Sequence, residues 1–127
     1  MNADELWRAA LHHHNARDYH EAHEVFEDLW LELGNRADKD IAQALAQADA
    51  LAVHLETGNL RAAQRLMRQL PQLAVALPDT WRGARLQSVR EWIAEVTATV
   101  PPHGDIPDVE RREPPSIVER AAVVGDS

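Results

Sequence analysis

Cysteine is absent from the 127 residues of this sequence. That absence excludes disulfides, zinc–thiolate centres and thiol catalysis, and it fits a reducing compartment. No apolar run approaches the about 20 residues that span a bilayer. The opening Met1-Asn2-Ala3-Asp4-Glu5 lacks the basic-then-apolar order of a secretory signal. A cytoplasmic protein with no membrane partner is expected. Strand signatures, with β-branched residues alternating between turns, are missing almost everywhere. Glycine-rich phosphate cradles, serine-centred elbows and paired-aspartate sites are missing too. Aromatics are few: four tryptophans, one tyrosine and one phenylalanine. Positive charge is also in deficit, with a formal net charge of −8. Phosphate binding needs a basic face, so nucleic acid is not the expected partner.

What remains is one domain's worth of helix-forming sequence. A chain of this length buries roughly two-thirds of its unfolded surface, enough for a core without staples. Charge is uneven along it. Arg61, Arg65, Arg68, Arg82, Arg85 and Arg90 share their segment with only one acid, Asp79, while acidic residues crowd the stretch from Asp18 to Asp40. Complementary solvated faces are the favoured account.

The periodicity predicts an all-α fold, a compact bundle of about five helices. The first runs from about Asp4 to Asn15, with Asn2 and Glu5 spaced as a capping box and Trp7, Ala10, Leu11 and His14 on one face. Asp18 is a plausible N-cap for the second, which runs to about Leu33, where Gly34-Asn35 should stop it. The third spans about Asp38 to Glu56 with Ile41, Leu45, Ala48, Ala52 and Leu55 as its stripe, stopped by Gly58. Its many alanines make it thin, so neighbours can pack closely. Asn59 caps the fourth, which uses Leu60, Ala63, Leu66, Met67 and Leu70 and should end or bend at Pro71. The fifth runs from about Ala84 to Thr99, with Leu86, Val89, Ile93 and Val96 inward and Trp92 flanking. Asp49 is expected to face water, and Trp81 to be the exposed tryptophan that marks an interface.

Two domains of unlike kind follow: a helical bundle over 1–100 and a tail over 101–127. The tail holds five of the seven prolines and reads as disordered or loosely draped, with Ile117 to Val124 as its one candidate docking helix. A weak internal repeat relates Asp18-Tyr19, Ala22, Val25, Phe26 and Leu29 to Asn59-Leu60, Ala63, Leu66, Met67 and Leu70. This resembles the second helix of a tetratricopeptide unit, without that repeat's regular period. Two such helical hairpins plus a C-terminal helix is the economical architecture.

The chemistry concentrates in helix two. Away from the Ala22–Val25–Phe26–Leu29 core stripe, His20, His23, Glu24 and Glu27 recur at spacings of three and four, so their side chains are neighbours on a helix. Trp30 stands at the edge. Imidazole and carboxylate are ligands for zinc, manganese, iron or nickel. The order His20-Glu21-Ala22-His23 is nonetheless neither the zinc-protease motif nor the Glu-x-x-His signature of di-iron bundles. A metal would need ligands from another helix, and Gln47 and His54 on helix three supply candidates. Three readings stay open: a structural hydrogen-bond network, a metal or small-ligand site, and acid–base catalysis. The expectation taken forward is a pocket between helices two and three. In it His23, Glu24, Glu27 and His54 bind a divalent metal or a small polar ligand, bordered by Glu21, Trp30 and Gln47. The alternative is a non-enzymatic protein–protein interaction module in which the cluster is structural. Either leaves a protein partner or self-association open.

The run from Asn15 to Trp30, Asn-Ala-Arg-Asp-Tyr-His-Glu-Ala-His-Glu-Val-Phe-Glu-Asp-Leu-Trp, resembles the hallmark of the domain-of-unknown-function 309 family. A second block, Gln47, His54 and Gly58-Asn59-Leu60-Arg61, matches the family's glutamine, alanine-rich helix, histidine and Gly-Asn-Leu-Arg. The likeness covers about Trp7 to Glu95. It implies a compact all-helical fold and a bacterial or archaeal cytosolic protein, and no established activity. By position, Glu21, His23, Glu24, Glu27, Trp30, Gln47 and His54 match the hallmark residues. His20 stands where an aromatic is usual, and Ala62 where a glycine is common.

Overall fold

A computed structural model describes residues 1–99 and 113–119. Five helices carry the fold: α1 Ala3–Asn15, α2 Tyr19–Glu32, α3 Arg36–Thr57, α4 Leu60–Ala74 and α5 Gln87–Thr99. α1 packs on α2, α2 on α3, α3 on α4 and α4 on α5. Both expected hairpins, α1/α2 and α3/α4, are therefore present, with α5 as the closing helix.

Local signals explain most boundaries. Asn2 and Glu5 form the predicted capping box, with Glu5 N–H donating to Asn2 Oδ1 at 2.9 Å. Asn35 Oδ1 accepts from Asp38 N–H at 2.8 Å and starts α3. Asn59 does the same for α4, through Ala62 N–H. Gly58 ends α3 at φ +74°, a conformation that a side chain would strain. Gly34 does not act this way: α2 ends at Leu33 in extended backbone. Asp18 sits at the N-cap of α2 but makes no capping bond; its carboxylate instead lies 3.5 Å from His13 Nδ1.

Further details depart from the sequence reading. α4 runs through Pro71 to Ala74 rather than ending at it. Pro71 is exposed, and the helix continues less than one full turn beyond it. The expected start of the fifth helix is instead a minimal hairpin, β1 Thr80–Trp81 antiparallel to β2 Ala84–Arg85. Its turn places Arg82 and Gly83 at φ +50° and +79°, the left-handed pair that matches strand twist in a two-residue connection. Trp92, expected at the flank, is 1% exposed in the core.

The core runs the length of the bundle, from Trp7, Phe26 and Leu29 through Leu45 and Leu51 to Leu70, Trp92 and Ile93. Trp81 is partly buried and packs against it rather than standing on an open surface. Its ring meets Trp7 edge-on at 5.0 Å, and its Nε1 donates to Asp38 Oδ1 at 3.0 Å. Of the proline-rich tail, residues 113–119 are described. They lie extended against α1 and β2, with Ile117 buried, and Ile117–Glu119 is not helical. The rest of the expected disordered tail, 101–112 and 120–127, lies outside the described residues.

Candidate functional site

α2 divides the expected site in two. Residues four apart sit about 40° apart around a helix, so His23 and Glu27 share one flank while His20 and Glu24 share the next. The first flank faces α3. His23 Nδ1 lies 2.8 Å from the Ala46 carbonyl oxygen, and its Nε2 lies 2.9 Å from Glu27 Oε1. A carbonyl only accepts, so Nδ1 carries the hydrogen of that bond. The ring is thereby oriented by the α3 backbone and holds Nε2 toward Glu27, the orienting role that a backbone carbonyl plays for many ligand histidines.

His23 and Glu27 line a cavity of about 400 Å³ with Gln47 and His54 of α3 and Ala62, Arg65, Leu66 and Gln69 of α4. His23, Glu27, Gln47 and His54 are thus brought together. Burial, then the charges of Arg65 and His23, lowers the pKa of His54 below its ordinary value. His54 is therefore a neutral imidazole at neutral pH, with a lone pair to offer. A second cavity of about 320 Å³ adjoins the first through Glu27 and Gln47 and is lined also by Trp30, Leu31, Gln43 and Ala46. Lys39 packs on Trp30, with Nζ 4.0 Å above the Trp30 ring and donating to the Trp30 carbonyl.

Glu24 does not line either cavity. It lies 3.9 Å from His20 on the solvent-facing flank. Among the described residues, His20, Glu21 and Glu24 are the one trio of ligand-type side chains whose ligand atoms come within 4.8 Å of one another. The expected metal set of His23, Glu24, Glu27 and His54 is therefore split by the helix's own geometry. The cavity half keeps two imidazoles and one carboxylate, with the guanidinium of Arg65 opposing a divalent charge.

The most buried ionisable pair was not expected. Asp49, predicted to face water, is 0% exposed, and its Oδ1 lies 2.7 Å from Nδ1 of buried His14. His14 Nε2 lies 2.8 Å from the Pro115 carbonyl oxygen, while Asp49 Oδ2 has no partner. The spacing carried a signal: Asp49 sits four after Leu45 and three before Ala52, inside the apolar stripe, and His14 shares the Trp7–Leu11 face. Arg65 was legible only as one charge of a solvated face, although it lies three beyond Ala62 and one before Leu66, which also line the cavity.

A small helical domain with a His/Glu-lined cavity is the class that this geometry defines. Residues 7–66 match the model of the family described as domain of unknown function (DUF309), and this stretch of the chain belongs to that family. An uncharacterized protein of Aquifex aeolicus (strain VF5) is 30% identical over 96 residues, covering 75% of this chain and 28% of that protein. The chain thus spans little more than a quarter of that relative's length. No solved structure matches. No helix among the described residues is long and apolar enough to cross a membrane.

Proposed function

We propose that the cavity between α2, α3 and α4 binds a small polar ligand carrying a carboxylate or phosphate group. The observation that supports this most directly is its lining: Arg65 with a His54 whose pKa is lowered, two glutamine amides, and the His23–Glu27 pair. A guanidinium receives an oxyanion through two parallel hydrogen bonds, and amides add donors without charge. Glu27 accepts from whatever donor the ligand presents, and His23 fixes Glu27 from behind. Metal binding in this cavity is the weaker version of the notion, because Arg65 repels a divalent cation and Glu24 points elsewhere.

The test is a titration followed by amide and side-chain NMR, on protein purified without a nickel column. Carboxylates, phosphates and zwitterionic amino acids are added one at a time. Selective shifts at Gln47, His54 and Gln69, lost in Arg65→Ala, support the reading. No shift at those positions with any member refutes it. The clustering of His20, Glu21 and Glu24 favours a second reading, a divalent cation on the outer flank of α2. Zinc should then shift the ring signals of His20 and leave those of His54 unchanged.

A further inference from the structure

Residues 113–119 cross the end of α1 and the edge of β2 as extended chain. Their main chain is gripped four times. His14 Nε2 donates to the Pro115 carbonyl at 2.8 Å. The Asn15 side-chain amide donates to the Ile117 carbonyl at 3.0 Å and accepts from Ile117 N–H at 2.8 Å. Arg85 N–H donates to the Val118 carbonyl at 2.9 Å. The Ile117 side chain, 2% exposed, fills the core beneath. Bonds to main chain plus one pocket for a side chain is how sheet edges and asparagine clamps take up extended peptides.

We propose that the end of α1 and the β2 edge form a clasp for extended main chain, occupied by the protein's own residues 113–119 and locked by one proton on the His14–Asp49 pair. The proton count follows from the oxygens. The Pro115 carbonyl only accepts, so Nε2 must carry a hydrogen. Asp49 Oδ1 at 2.7 Å from Nδ1 needs a hydrogen between them, whether ring or carboxyl holds it. The clasped pair therefore holds two protons. Remove one, and two acceptors face each other at one of the two contacts. A carboxylate is the stronger acceptor, so the remaining proton stays on the Asp49 side and the Pro115 bond is the one lost. Asp49 Oδ2 has no partner, so no other donor relieves the carboxylate.

The surrounding charges leave this count intact. Tyr19 of α2 stacks edge-on against His14 at 5.6 Å, and burial, with nearby carboxylates, pushes its hydroxyl up to about 12, so it stays neutral. His23 of α2 acts on Asp49 only through its charge. Glu113 at the mouth of the strap is paired with Arg17 at 3.4 Å. Burial opposes charge on His14, but the Asp49 hydrogen bond and charge, with the Pro115 bond, raise its pKa above 6.5. Release therefore falls above the ordinary imidazole value of 6.5.

Hydrogen–deuterium exchange of the intact chain, corrected for the intrinsic rate, tests this. Protection of the amides of residues 116–119, relative to α3, should fall about tenfold or more between about pH 6 and about pH 9. Asp49→Asn should abolish that fall. The asparagine amide donates to Nδ1 of a neutral ring, which keeps its Nε2–H for Pro115 at every pH. Asn15→Ala, which leaves the pair untouched, should lower protection equally at both pH values. A flat profile in the unaltered protein, or an unchanged fall in Asp49→Asn, overturns the proposal.

Discussion

Two histidine–carboxylate pairs stand about a helix apart in this molecule and do opposite work. His14–Asp49 is sealed in the core, with side chains 2% and 0% exposed. His23–Glu27 borders a cavity, with side chains 25% and 62% exposed. The chemical partners are nearly the same and the distances differ by little. Surroundings decide the rest. Water screens the outer pair, so its attraction contributes little and its groups remain available to a ligand. The inner pair has given up hydration, so each member depends on the other, and losing one strands the other in an apolar medium.

That contrast can be broken or sharpened by substitution. The largest effect is expected from Asp49→Ala or His14→Ala, each costing about 3–5 kcal/mol of stability in urea unfolding because a buried charge or donor is left unpaired. A cost below about 1 kcal/mol would show that the inner pair is no more coupled than a surface one. Next comes pH. The raised pKa of His14 means that the folded state holds its proton more tightly than the unfolded state does. Its contribution is complete below the ordinary 6.5 and is lost as pH rises through the folded value. Asp49, raised chiefly by burial and lowered less by His14 and His23, has the same sign. His54 has the opposite one: its lowered pKa withdraws stability as pH falls below 6.5. Unfolding midpoints measured across pH should fall on the alkaline limb in the unaltered protein. That limb should flatten in Asp49→Asn, while His54→Gln should affect only the acid side.

Smallest of all is Glu27→Gln at the outer pair, expected to change stability by no more than about 0.5 kcal/mol. Its consequence should instead appear in ligand titrations, as weaker binding of ligands that present a donor. A stability loss of several kcal/mol would make His23–Glu27 a structural network after all.

The same division separates what was legible in the sequence from what was not. Helix order, the Asn2, Asn59 and Gly58 caps and the association of His23, Glu27, Gln47 and His54 all follow from spacings within one or two helices. Periodicity reports such neighbours directly. The misses join distant residues. Asp49 meets His14 across 35 positions, and Asn15 meets Ile117 across 102. An aspartate in an alanine-rich helix looks solvated until its partner is known, although its place in the apolar stripe pointed inward. Glu24 lies apart from the cavity for a different reason. Spacing by threes and fours makes residues neighbours along a helix, but a stripe wide enough to hold four side chains is too wide for one adjoining helix to cover. The hairpin at Thr80–Arg85 was missed because two-residue strands have no period to read; only Gly83 in its turn marked it.

Ala42, Ala44, Ala46, Ala48 and Ala52 are all buried along α3. A central rod this narrow brings its peptide groups within reach of neighbouring side chains, as the Ala46 carbonyl meets the His23 ring. Added bulk there would act as a wedge. Ala46→Leu would pry α2 outward and mis-aim an imidazole it does not replace, so the aim of the His23 ring is set partly by the thinness of a scaffold that carries no functional group at that position.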